Sequence, residues 1–133
     1  MTRLTLKNGQ WIDVKDMMKV RDTEFVHTFA YQGISNDGKT IHYNIIKHQI
    51  STLAVRTLNW SVTDEDGKVI HWPVGKSPHK ERVEIIENLD ARVFEEVSDL
   101  LAAHIKTIEP SVTEKNATAD GETDSIPTSP SAS

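Results

Sequence analysis

The chain of 133 residues contains no cysteine, which removes disulfides, thiolate nucleophiles and cysteine-held zinc together. Whatever fold forms must rest on packing and hydrogen bonds. Apolar runs are also short: none approaches the roughly 18 residues of a membrane-crossing helix, and the opening MTRLTLKNG has no hydrophobic core of a signal peptide. A soluble cytoplasmic protein, without membrane contact, is the expectation from these two absences.

Positive charge is scarce as well. Fifteen Lys and Arg stand against twenty Asp and Glu, for a net charge of −5. No basic stripe runs along the sequence to neutralise phosphates, so nucleic acid is not expected as a partner. The one local concentration of cations, Lys76, His79, Lys80 and Arg82, is interrupted by Glu81 and Glu84.

Large apolar side chains almost vanish after Glu109, where Val112 and Ile126 stand alone in a Ser, Thr, Pro and acid-rich stretch. Such a segment cannot bury enough surface to offset its ordering entropy. Residues 110–133 therefore read as a disordered acidic tail, and residues 1–109 as a single α+β domain. The tail carries Glu114, Asp120, Glu122 and Asp124 against Lys115, so −3 of the net charge lies there and −2 in the domain.

Within the domain, turn chemistry gives the clearest signals. In LTLKNGQWIDV, a three-residue loop Lys7-Asn8-Gly9 pairs Leu6 with Gln10, Leu4 with Ile12 and Thr2 with Val14, gathering Leu4, Ile12 and Val14 on one face. A two-residue Asn-Gly loop would set Leu4 beside Asp13 and split the apolar set. In WSVTDEDGKVIHW, the loop Glu65-Asp66-Gly67 sets Asp64 opposite Lys68, Val62 opposite Ile70 and Trp60 opposite Trp72. Asn36-Asp37-Gly38 marks a further turn.

Helical spacing appears in four places. Asp22 or Thr23 is placed to cap a helix bearing Phe25, Val26, Phe29 and Ala30, with Gly33 ending it. Tyr43, Ile46, Ile50, Leu53 and Thr57 predict a central helix from about Thr40 to Leu58, although Ile41, Tyr43 and Ile45 also alternate as in a strand. After the polar linker Pro73 to Pro78, Val83, Ile85 and Ile86 predict a short helix. Asp90 caps the last one, with Leu89 and Phe94 as a hydrophobic staple. Its stripe is Val93, Phe94, Val97, Leu100, Leu101, His104, Ile105 and Ile108, and Pro110 stops it. The fold class is α+β: small antiparallel hairpins packed with three to four helices.

No catalytic constellation emerges. With Gly67 at position six of an EF-hand loop, the outer ligand positions fall on Val62 and Pro73, which cannot serve. His27 meets Tyr31 at i+4, His42 and His48 are six apart, and no HExxH occurs, so no metal or other cofactor is expected. Glu95, Glu96 and Asp99 lie opposite the apolar stripe of the last helix, where a solvated face puts charge. The expected class is non-enzymatic.

The order LTLKNGQWIDV, then a helix running into VRTLNWSVTDEDGKVI, then NLDARVFEEVSDLLAAHI before a low-complexity tail, resembles small proteins of tailed bacteriophages. These are encoded among the head and tail morphogenesis genes and assigned as tail assembly chaperones. The resemblance covers most of residues 4–108. It implies a protein that binds the tape measure protein, recruits tail tube subunits and is absent from the finished virion; the family has no catalytic residues to carry over. The longer, more hydrophobic Trp60–Trp72 hairpin departs from that pattern and leaves a structural virion component, head-to-tail or capsid-associated, as the alternative. Homo-oligomerisation is open. The residues named as candidates for partner binding are Trp60, Trp72, Phe94 and Leu101, with the core the preferred place for the two indoles.

Overall fold

The computed structural model describes residues 1–109; the segment 110–133, read above as a tail, lies outside them. The described residues form nine elements: β1 (Thr2–Thr5), β2 (Trp11–Val14), α1 (Val20–Ala30), β3 (Tyr31–Ile34), β4 (Ile41–Tyr43), α2 (Ile45–Arg56), β5 (Thr57–Trp60), α3 (His79–Glu87) and α4 (Ala91–Ile108). They make two small antiparallel sheets, β1-β2-β5 and β3-β4, with four helices. The α+β class is thus the observed one.

The first hairpin has the register that its apolar pattern demands. Thr2 pairs with Val14 and Leu4 with Ile12, the Leu6 N–H donates to the Gln10 carbonyl at 2.7 Å, and Gly9 takes the positive φ of 90° that the loop requires. Leu4, Leu6, Ile12 and Val14 then face inward. On the outer face Arg3 grips Asp13 with two hydrogen bonds of 2.8 and 3.0 Å and lies over the Trp11 ring at 3.8 Å. Strand β5 joins the free side of β2, Ile12 opposite Trp60 and Asp13 opposite Asn59, and a bulge before Val14 leaves Leu58 turned to solvent.

The tryptophan segment is the hairpin read from the sequence. Thr63 bridges Val69, the Asp64 N–H donates to the Lys68 carbonyl at 2.8 Å and the Ile70 N–H to the Val62 carbonyl at 2.9 Å. The two indoles meet at 4.3 Å between centroids, tilted by 46°. Each N–H finds a carbonyl at 2.9 Å: Trp60 donates to Ile70 and Trp72 to Thr57. With their only polar atoms satisfied, both rings are 5% exposed and sit in the core beside Val62, Val83 and Ile86. An aromatic pair in this geometry adds about 0.5–1.5 kcal/mol beyond its burial.

Two helices, α1 and α2, differ in their bounds from the sequence expectation. α1 starts at Val20, with Lys19 as N-cap and Asp22 inside the first turn. The Asp22 carboxylate accepts the Lys19 N–H at 3.0 Å, so it acts from the N3 position, reaching back, where the sequence reading had it as the cap itself. That helix also runs into β3 without a glycine stop; Gly33, at φ 131°, belongs to an irregularity in the β3–β4 pairing. The predicted helix from Thr40 is split: Ile41–Tyr43 form β4, and α2 starts after Asn44, whose side chain accepts the Lys47 N–H at 2.9 Å. The alternation of Ile41 and Tyr43 was the real signal there, and Ile46 is exposed on the first turn of α2. Asp90 caps α4 as expected, and all eight residues of its stripe are buried or half-buried.

Helix α2 is central, touching α1, α3, α4 and β5. Its C-terminal carbonyls, which a helix leaves without internal partners, are taken up one by one. The Thr57 N–H bonds Leu53, the Lys15 N–H bonds Arg56 at 2.8 Å, and the buried Arg82 side chain bonds Ala54 at 3.0 Å. Arg82 also donates to the Pro73 carbonyl at 2.8 Å and lies 5.0 Å from the Trp72 ring centre. Replacing Arg82 by Ala strips two buried carbonyls of their donor and the indole of its cover. It should cost about 2–4 kcal/mol in urea unfolding, whereas Arg92→Ala on the surface should leave the urea midpoint unchanged.

Candidate interaction surfaces

Three of the four sequence-expected binding residues lie inside. Trp60, Trp72 and Leu101 are core side chains, and Phe94 is half-buried against the same cluster. Their apolar surface is therefore already matched within the fold. The acidic run of the tryptophan hairpin is accounted for as well: one Asp64 oxygen accepts the N–H groups of Asp66 at 2.9 Å and Lys68 at 3.0 Å, folding the loop on itself. Among the described residues no group of three or more His, Asp or Glu is arranged to hold a metal ion, and no helix is long and apolar enough to cross a membrane.

Apolar surface left open is concentrated on the β3–β4 ribbon and the adjoining turn of α2. Ile34 pairs directly with Ile41 and Tyr31 with Tyr43, and the tyrosine rings meet edge-on at 6.4 Å. Ile41 and Tyr43 are two apart on one strand, and the irregularity at Gly33 keeps Tyr31 and Ile34 in phase, so all four side chains share one face. Tyr43 is half-buried against His27 of α1, but Ile34 and Ile41 are 55% and 46% exposed, and Ile45 and Ile46, on the first turn of α2, are exposed as well. The tip is held by polar bonds: Ser35 with Asp37, the Lys39 N–H to Asp37 at 3.0 Å, and the Thr40 N–H to Ser35 Oγ at 3.1 Å. A two-stranded ribbon is marginal on its own. This one has no third strand on either edge among the described residues.

The second open feature is a groove of about 1020 Å³ between α1 and the start of α3, floored by Val55 and Leu58. Its walls are tied by one buried carboxylate. Asp22 receives the Lys15 ammonium at 2.5 Å from the end of β2, the Lys19 N–H at 3.0 Å from its own helix, and His79 Nε2 at 3.1 Å from the first turn of α3. The Phe25 ring rests 5.0 Å from that imidazole. Burial is the largest single influence on the Asp22 carboxyl and raises its pKa; the hydrogen bonds and charge of Lys15, Lys19 and His79 together outweigh it and leave the value below the ordinary one. Arg82 lies behind this knot. Burial lowers its pKa more than the Asp22 charge raises it, and a guanidinium begins far enough above neutrality to stay charged. Sequence reading picked out Lys76, His79, Lys80 and Arg82 but had no means of joining them to Lys19 and Arg21, almost sixty positions away.

Compared with known proteins, the chain stands apart: no protein-family model, no curated protein and no solved structure matches it.

The Asp22 knot has a pH signature. A carboxyl whose folded pKa is lowered stabilises the fold fully above the unfolded value of about 3.9, and that contribution disappears as pH falls through the lower folded value. Asp13, held down by its bond to Arg3, and Asp16, held down by its bond to His104, act with the same sign. Urea midpoints should therefore fall steeply below about pH 4. Asp22→Asn should lower stability at neutral pH by about 1–3 kcal/mol and flatten that acid limb; an unchanged limb would remove the assigned role.

Proposed function

We propose that this chain is a non-enzymatic, protein-binding assembly factor, a tail assembly chaperone of the kind its sequence resembles, which holds apolar segments of phage structural proteins on the β3–β4 ribbon. The observation that carries the reading is the shared apolar face of Tyr31, Ile34, Ile41 and Tyr43 on a ribbon with unpaired edges, followed by the exposed Ile45 and Ile46 on the first turn of α2. Contiguous exposed apolar surface of this kind is uncommon unless a partner covers it. An open edge offers main-chain hydrogen bonds to an extended segment while the face takes its side chains. Binding thus moves away from Trp60, Trp72 and Leu101, whose burial assigns them to stability, and onto residues that the sequence had placed in a turn and a helix.

Under this reading the chain acts in the host cytoplasm on tape measure and tail tube proteins and leaves before the particle is complete. The same face would equally serve a permanent contact in the particle, so the virion decides. Quantitative mass spectrometry of purified virions should find the chain absent or far below one copy per structural ring; stoichiometric presence would replace the chaperone reading with a structural component. Ile34→Lys with Ile41→Glu should leave the unfolding free energy within about 1 kcal/mol of the parent, since both side chains are exposed and the new cross-strand pair carries opposite charges. Co-purification of the tape measure protein should be lost in the same variant, and retention at parental levels would exclude the ribbon as the binding face.

A further inference from the structure

The groove between α1 and the start of α3 is cationic in a chain of net charge −5. Six lysines and arginines line it against two carboxylates, Asp22 and Glu24. Two of the six are spent inside the fold: Lys15 is paired with Asp22, and the buried Arg82 side chain donates to carbonyls. Lys19, Arg21, Lys76 and Lys80 are exposed, and among the described residues none of these four has a carboxylate within ion-pair distance. Asp22 is consumed by its own bonds, so Glu24 alone opposes the open cations across the groove.

The floor is apolar. Val55 and Leu58 underlie the groove and the Phe25 ring leans in beside His79. Leu58 is 40% exposed, turned outward by the bulge in the β2–β5 pairing. The walls come from distant parts of the chain: Lys19 and Arg21 from the start of α1, Lys76 and Lys80 from the loop before α3 and its first turn. Asp22 fixes how far apart they stand, because Lys15 and His79 meet on its two oxygens at 2.5 and 3.1 Å. The volume of about 1020 Å³ is at the upper end of ligand-pocket sizes and accommodates a short peptide.

The geometry points to an acidic segment of a partner protein, with an apolar side chain set among its carboxylates, as the occupant of this groove. The carboxylates lie against Lys19 and Arg21 on one wall and Lys76 and Lys80 on the other, and the apolar side chain covers Leu58 and the edge of Phe25. Both halves of that chemistry are needed. Exposed ion pairs are individually weak and are screened by salt, so the cations supply attraction and orientation, while burial of the floor supplies the hold. A polyphosphate chain matches the charge but brings no aliphatic surface to Leu58. Because the Asp22 knot sets the walls before binding, little ordering of this chain is left to oppose the contact. The groove and the β3–β4 ribbon share no residue, so this contact stands independently of the ribbon's proposed role.

Nuclear magnetic resonance titration of the full chain tests the assignment, the probe being a synthetic peptide with leucines set among glutamates and aspartates. Amide signals of Arg21, Leu58, Lys76 and Lys80 should shift saturably at about 50 mM salt, with affinity falling about ten-fold or more at about 500 mM. Lys19→Gln with Lys80→Gln should weaken binding about five-fold or more, whereas Lys68→Gln with Lys106→Gln, an equal loss of charge at exposed sites outside the groove, should leave it within about two-fold. Serine in place of the peptide leucines should weaken it about three-fold or more, and Ile34→Lys with Ile41→Glu should not change it. Absence of saturable shifts, shifts centred on the ribbon, equal weakening by the two lysine pairs or indifference to the peptide leucines would each overturn the assignment. So would a thymidine oligonucleotide of equal charge that binds as tightly as the peptide, which would make the groove a general polyanion surface.

Discussion

The guanidinium of Arg82, closed over the C-terminal end of α2, is the constraint on which the arrangement depends. A helix ends with carbonyls that need donors, and here the end is buried, so water cannot supply them. Arg82 reaches from α3 to bond Ala54, bonds Pro73 with its Nε, and covers the Trp72 ring. One side chain thereby ties the central helix, the tryptophan hairpin and the third helix. Its positive charge sits at the negative end of the α2 dipole, where a cation is favoured. A second guanidinium, Arg56, does related work one turn on, holding the carbonyls of Lys15 and Asp16 beneath the end of α4.

That concentration of buried hydrogen bonds makes the two ends of α2 unlike each other. At the C-terminal end, core, knot and groove are packed around arginines and the paired indoles. At the N-terminal end, Asn44 caps the helix, Ile45 and Ile46 face solvent and the β3–β4 ribbon continues from it. Stability is drawn from the first end, leaving the second free to expose apolar surface that the core does not need. The cationic groove belongs to the rigid end because the knot that shapes it, Asp22 with Lys15 and His79, is built on the same packing.

Local rules accounted for the hairpins and for α4. The loops at Gly9, Gly38 and Gly67 need a positive φ that glycine supplies without strain, and all three adopt it. Register then follows from keeping apolar residues on one face, which is why Trp60 meets Trp72. The sustained stripe of α4 has no competing period. Where two periods overlapped, as at Ile41, Tyr43, Ile46 and Ile50, spacing could not choose, and the strand–cap–helix division was made by the pairing of β4 with β3 and by the Asn44 cap. The candidate site was less legible. Sequence favoured the largest apolar side chains, but large aromatics with satisfied N–H groups are also the best core residues, and the core took them.

What the sequence by itself determined are the properties set by neighbours in the chain: turn positions, hairpin registers, the cap and stripe of α4, and the uneven charge between the domain and residues 110–133. Only the tertiary structure decided which surfaces remain open. Burial of Asp22, convergence of Lys19 and Arg21 with Lys76 and Lys80, and exposure of Ile34 and Ile41 all depend on which elements pack together. Those contacts join residues far apart in the chain, and the side chains that met in the core were thereby removed from the surface.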